Sequence, residues 1–131
     1  MRRRTFTTFA TLAAFTLTMP AIADTQTPGA VQATAEQIRQ LLSGNTISGT
    51  WSGTTYKQYY HSNGVTVYVE DGRPPSRGKW RVKEDANEYD SWWEQTGWTP
   101  YVVMMTNDGF AWVNGDTLEP FEVLGGKQVN F

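Results

Sequence analysis

Arg77-Gly78-Lys79-Trp80-Arg81-Val82-Lys83-Glu84-Asp85-Ala86-Asn87-Glu88-Tyr89-Asp90-Ser91-Trp92-Trp93-Glu94 is the stretch whose reading decides the fold. Basic and apolar residues alternate up to Lys83, and acidic and aromatic residues alternate after Asn87. With Glu84 to Asn87 as the loop, Lys83 falls opposite Glu88, Arg81 opposite Asp90, Lys79 opposite Trp92 and Arg77 opposite Glu94. The other face then carries Trp80 and Val82 against Tyr89, Ser91 and Trp93. A hairpin with an opposite-charge ladder on one face and rings on the other is half-buried, with its register set by the pattern. The ladder also accounts for the basic run of Arg73, Arg77, Lys79, Arg81 and Lys83 without an anion site. On a solvated face each such pair contributes only ~0.2–1 kcal/mol.

The triplet that opens this hairpin, Gly78-Lys79-Trp80, also occurs as Gly49-Thr50-Trp51, with looser echoes at Thr96-Gly97-Trp98 and Gly109-Phe110-Ala111-Trp112. A strand glycine lets a neighbouring backbone or ring approach closely, and the tryptophan two residues on points to the same face. Trp51 and Trp80 are therefore both expected in the core. Candidate strands cover 46–52, 54–61, 65–71, 77–83, 88–94, 99–106, 110–114 and 118–124, with a possible last piece at 128–131. Turn signals such as Asn63-Gly64, Gly115-Asp116 and Gly125-Gly126 separate them. Short strands at this spacing predict an all-β domain: an antiparallel up-and-down barrel or half-barrel of about eight strands.

One hairpin breaks the alternation. With Gly109 in a left-handed bulge, Met104 faces Trp112, Met105 faces Ala111 and Val103 faces Val113. Val102, Met104, Phe110 and Trp112 then share one face, and Val103, Met105, Ala111 and Val113 the other. Both are apolar, unlike a half-solvated sheet. The second face is expected to be covered by the one short helix, at 34–43, or by a partner, or else to remain a patch, with helix docking the first expectation. Thr34 and Gln37 form a capping box there, Ile38, Leu41 and Leu42 share a face, and Gly44 follows the end. So short a helix must dock on apolar surface.

Residues 1–23 read as a signal peptide. Arg2 to Arg4 form its charged start, Phe6 to Met19 its uncharged and mostly apolar run, and Ala21-Ile22-Ala23 its cleavage site. Arg3-Arg4 resembles a twin-arginine signal, but nothing downstream calls for export in the folded state, so the general secretory route is the expectation. Residues 24–33 read as a flexible lead-in, and 34–131 as a single domain. The expected location is the periplasm or the medium, with no membrane anchor after cleavage. There is no cysteine for a disulfide, a thiolate metal site or a lipid anchor. Three of the 11 basic residues lie in the leader and all 13 acidic residues lie after it, so the mature chain carries −5. That balance argues against nucleic acid as a partner.

Motifs for chemistry are sparse. His61 is the single histidine and sits beside a turn, as a surface residue. Asp85, Asn87 and Asp90 lack the glycine and terminal glutamate of a calcium loop. No spacing singles out a carboxylate pair, a nucleophilic triad or a phosphate loop. The chain is read as a non-enzyme without a cofactor or metal. The rings carry the functional signal. Tyr60, Trp80, Trp93 and Trp112 are candidate ligand-binding residues, and Trp92 and Trp98 candidate surface-interaction residues, with Trp92 outward over Lys79.

A short helix followed by Gly49-Thr50-Trp51 on a first strand resembles the opening of lipocalins. The repeated Gly-x-Trp, the Tyr59-Tyr60-His61-Ser62-Asn63-Gly64 turn and the leader resemble small exported lipocalin-like bacterial barrels of unknown function. The resemblance spans residues 34–131. The lipocalin Thr-Asp-Tyr loop and late arginine have no counterpart, so only Gly49 and Trp51 carry over, as structural residues. The resemblance implies a binder of a small ligand or envelope component. Bacterial metallopeptidase inhibitors, also small exported barrels, are the second resemblance and imply a protein-interaction module. A carboxylate-dependent hydrolase is the third possibility. A cavity favours the first, a solid core with an apolar patch the second, and two close buried carboxylates the third.

Overall fold

The computed structural model describes residues 29–130, so the expected leader and cleavage site lie outside the described residues, as does the first half of the lead-in. The chain clusters into two units that divide after Val31, and the second carries the fold. Its one helix, α1, spans Ala35–Leu42. The strands are β1 (Val31–Gln32), β2 (Thr46–Trp51), β3 (Thr54–Tyr60), β4 (Val65–Glu70), β5 (Ser76–Lys83), β6 (Glu88–Trp93), β7 (Gly97–Tyr101), β8 (Val103–Thr106), β9 (Gly109–Asn114) and β10 (Thr117–Leu124). They form one curled antiparallel half-barrel in the order β1-β8-β9-β10-β2-β3-β4-β5-β6-β7. Ten strands stand where about eight were expected. The segment expected as 99–106 divides at Val102: β7 pairs with β6, while β8 pairs with β9. A two-residue strand also appears in the lead-in, and the Ala33 amide beside it donates to Val103 O at 2.8 Å. Gln128 to Asn130 form no strand.

Alternation decides which side chains face inward. β3 buries Tyr56, Gln58 and Tyr60 and exposes Lys57 between them. The inner cluster joins Tyr60, Trp80, Tyr89, Trp112 and Phe121 to Ile47 and Val103. Helix α1 belongs to the same cluster. Thr34 and Gln37 form the expected reciprocal cap, and Ile38 and Leu42 are fully buried, each worth about 1.5–3 kcal/mol. The helix thus docks on the interior and not on the outer face of the 102–113 hairpin. Asn87, in the β5–β6 turn, accepts a hydrogen bond from the Ala35 amide at 2.8 Å and holds the helix start in place. Arg39 pairs with Glu84 in that turn and with Glu36 at 2.9 Å.

The β5–β6 register is as read from the sequence, from Lys79 opposite Trp92 to Lys83 opposite Glu88. Its ladder is not uniformly solvated. Among the described residues only Arg81 and Asp90, of the three expected opposite-charge pairs, form an ion pair, at 2.9 Å, and the Asp90 side chain is 3% exposed. The third strand explains this: β7 lies beside β6, with Pro100 opposite Asp90 and Trp98 opposite Trp92.

The β8–β9 register differs by one residue from the expectation. Val103 faces Trp112, Met104 faces Ala111, Met105 faces Phe110, and Thr106 closes a two-residue turn opposite Gly109. The Thr106 hydroxyl accepts from the Asp108 amide and donates to Gly109 O, both at 3.1 Å, which fixes that shorter turn.

Both Gly-x-Trp glycines are sites of close approach. A Cβ at Gly49 would lie 2.8 Å from Pro120 O and 3.0 Å from Phe121 Cβ. At Gly78 it would lie 2.4 Å from Trp92 O and 2.7 Å from Trp93 Cε3. Trp80 is buried as expected, whereas Trp51 is only half-buried. It is the last residue of β2, and its ring meets Tyr101 of β7 edge-on.

Candidate functional site

The inward faces of the central strands do not meet. They leave a cavity of about 520 Å³ walled chiefly by rings: Trp51 from β2, Tyr56 and Tyr60 from β3, Tyr68 from β4, Tyr89 and Trp93 from β6, Tyr101 from β7 and Trp112 from β9. Gln58 and Ser91, both more than nine-tenths buried, are the polar side chains of its inner wall. Ser76, Arg77, Glu94 and Gln95, all exposed, stand at its mouth.

The rings brace one another. Tyr56 and Tyr68 stack at 5.3 Å with planes 17° apart, and Trp93 meets Tyr68 edge-on at 6.2 Å. Trp51 and Tyr101 form a second edge-on pair at 5.6 Å, and Tyr89 packs on Trp112 at 5.0 Å. Such contacts add about 0.5–1.5 kcal/mol each beyond burial and hold the walls in place. Gly78 makes room for the Trp93 indole, which joins the repeated motif to the site.

Hydrogen bonds engage much of the inner polar surface. Trp112 Nε1 donates to the Tyr56 hydroxyl at 3.0 Å, and the Tyr68 hydroxyl donates to Glu70 Oε2 at 2.9 Å. Gln58 Nε2 donates to Thr66 Oγ1 at 2.9 Å and reaches the Tyr89 hydroxyl at 3.5 Å. Burial pushes the Tyr56 phenol up to about 12, against the opposing Trp112 hydrogen bond. Burial likewise raises Tyr60, Tyr68, Tyr89 and Tyr101. These phenols stay neutral at ordinary pH, so among the described residues the charged side chains lining the cavity are Arg77 and Glu94, at the mouth. The wall therefore offers ring faces, hydroxyls and one amide. Glu94 is its sole carboxylate, and no group of three His, Asp or Glu side chains placed to hold a metal occurs among the described residues.

Of the candidate ligand residues, Tyr60, Trp93 and Trp112 line the cavity. Trp80 does not. It is 7% exposed, its Nε1 donates to His61 O at 2.8 Å, and its ring meets Tyr60 edge-on at 5.5 Å, so it is core beneath the site. Trp92 and Trp98 sit together on the outer face. Lys79 Nζ lies 4.6 Å from the Trp92 ring centre, and the Arg81 guanidinium lies 3.8 Å from that of Trp98, which is 39% exposed. His61 is exposed, with Nδ1 accepting from the Asn63 amide. Gln58 was missed. The same alternation that turns Tyr56 and Tyr60 inward turns Gln58 inward too, and a polar side chain at a core position is a signal in itself. Trp51, Tyr56, Tyr68, Tyr89 and Tyr101 were missed as cavity residues because the strand pattern marks an inward ring without saying whether the interior is filled. Comparison with protein-family models, with characterised proteins and with solved structures gives no match, so the functional reading rests on the chemistry of this wall.

Proposed function

We propose that this chain is an exported, non-enzymatic binding protein that takes a small, uncharged, ring-bearing molecule into its aromatic cavity, in the manner of a lipocalin. The cavity carries the reading: about 520 Å³ walled by rings that already brace one another, within the ~300–1,000 Å³ range of small-molecule sites. Export rests on the leader residues Arg2 to Ala23. Native mass spectrometry of the protein recovered from its source cells tests both parts. The expected result is a chain beginning at Asp24 with a small-molecule adduct lost on denaturation. In Ser91→Phe, which fills the inner wall, the adduct should disappear. An adduct that persists in that variant, or none in the unaltered protein, refutes binding in the cavity; an intact Met1 in exported material refutes cleavage.

The outer face favours a second reading, a protein-interaction module such as a periplasmic enzyme inhibitor. Trp98 stays exposed although a cation stacks on it, and Trp92 with Lys79 repeats the arrangement next to it. Exposed tryptophan and arginine are the side chains that most often anchor a protein partner. Trp98→Ala should abolish capture of an envelope protein while leaving the small-molecule adduct intact. Unchanged capture removes this reading.

A further inference from the structure

Gln58 holds a hydrogen-bond acceptor that no donor among the described residues uses. It lies on the inward face of β3 and is 7% exposed. The orientation of its amide follows from its neighbours. The Thr66 hydroxyl spends its single hydrogen on Tyr59 O, at 2.9 Å, and can only accept from Gln58. The atom 2.9 Å away must then be Nε2, whose other hydrogen points toward the Tyr89 hydroxyl. That leaves Oε1, and among the described residues no donor reaches it. Buried carbonyls without a partner are rare in native interiors, because desolvating one is not repaid.

Gln58 is also a cavity residue, which gives the unused acceptor a purpose. We infer that Gln58 Oε1 receives a hydrogen bond from the ligand, and that the ligand is a neutral, flat aromatic molecule with an N–H or O–H group on its edge. This rests on the cavity-binding reading above. The ligand is neutral because the charged side chains lining the cavity, Arg77 and Glu94, both stand at the mouth, and an ion deeper in would be desolvated without a counter-charge. It is flat and aromatic because rings stand on several sides of the space, as the Trp93–Tyr68 and Trp51–Tyr101 pairs. A sugar carries hydroxyls around its whole rim. The inner wall is mostly ring face, and there Tyr56 already accepts from Trp112 and Tyr68 already donates to Glu70, which leaves few partners for such a rim.

The test is a matched pair of probes, 2-naphthol and 2-methoxynaphthalene, titrated calorimetrically into the unaltered protein at about pH 7, where the naphthol and the wall tyrosines keep their protons. The methoxy compound carries a methyl group in place of the donor hydrogen, and the Gln58→Met comparison removes the effect of that methyl. One buried hydrogen bond predicts roughly tenfold tighter binding of the naphthol. In Gln58→Met the naphthol should lose its advantage over the methoxy compound. Because the primary comparison needs no substitution, a misfolded Gln58→Met leaves it intact. Equal affinity of the two probes overturns the role of Gln58 while cavity binding stands. Binding of neither naphthalene overturns both. Binding of glucose or maltose in place of the naphthalenes overturns the aromatic class.

Discussion

Replacing Gly78 with alanine should destabilise the protein, although the intrinsic tendency runs the other way. Gly→Ala at a position whose backbone suits alanine stabilises by about 0.4–1 kcal/mol, because the unfolded chain has less freedom to lose. Gly78 has no left-handed backbone to forbid it. Space forbids it instead. The added Cβ would lie 2.4 Å from Trp92 O and 2.7 and 2.8 Å from Cε3 and Cζ3 of Trp93, where ordinary contacts begin near 3.4 Å. The carbonyl belongs to a strand backbone and cannot swing away, and the indole is braced against Tyr68. Overpacking of this kind costs about 1–3 kcal/mol. After the entropic gain the net loss is up to about 2.6 kcal/mol, toward the upper end because the closest contact is a backbone carbonyl. For a domain of this size that is a fall of about 4–8 °C in Tm per kcal/mol. Urea titration followed by tryptophan fluorescence measures it. Gly125→Ala is the control: it has ordinary backbone and nothing within 4 Å, so it should be neutral or slightly stabilising. The displaced Trp93 also moves into the cavity, so binding of 2-naphthol should weaken in Gly78→Ala and not in Gly125→Ala. A Gly78→Ala protein as stable as the unaltered one would show that the motif does not work by close approach.

Trp80→Ala should cost roughly 3–5 kcal/mol, the range for emptying a core aromatic site; a denaturant-measured loss below about 1 kcal/mol would place the ring outside the core. Arg81→Ala leaves a carboxylate buried without its partner. Because Arg81 itself is half-exposed, its loss should fall between the exposed and buried cases, about 1–3 kcal/mol, and a loss below about 0.5 kcal/mol would return Asp90 to a solvated ladder. The reciprocal Arg81→Asp, Asp90→Arg double variant should recover only part of either single loss, since arginine does not fit the buried Asp90 position. Alkaline pH should unfold the protein cooperatively. Phenols held above their unfolded value near 10, such as Tyr56 at about 12, contribute stability that is complete below about pH 10 and is lost as pH rises toward the folded value. Tyrosine absorbance that titrates normally near pH 10 with the fold intact would contradict the buried phenols.

The β5–β6 hairpin was legible because its two faces differ. A one-residue slip would put Trp80 among the charges and Arg81 among the rings, so only one register satisfies both faces. The 102–113 hairpin offers no such contrast. Met104 and Ala111 are buried on one side as Val103 and Trp112 are on the other, so a slip exposes nothing, and the pattern cannot reject it. Local turn chemistry decides there, through the Thr106 hydroxyl. The burial of Asp90 was illegible for another reason. It depends on β7, a third strand, while the ladder was read from two.

The site was half legible for a reason that extends beyond this chain. Hollowness belongs to the curl of the whole sheet, and no residue encodes it, so an inward tyrosine that packs and one that lines a cavity look alike in sequence. An inward polar residue does not look like either. Tyr56, Gln58 and Tyr60 share one face of β3, and a glutamine between two core rings must be satisfied by the protein or by something that enters. Thr66 and Tyr89 satisfy its nitrogen and leave its oxygen. Two of the six candidate site residues, Trp92 and Trp98, lie on the outer face, each with a cation against its ring. The more informative residue was the one whose chemistry disagreed with its position.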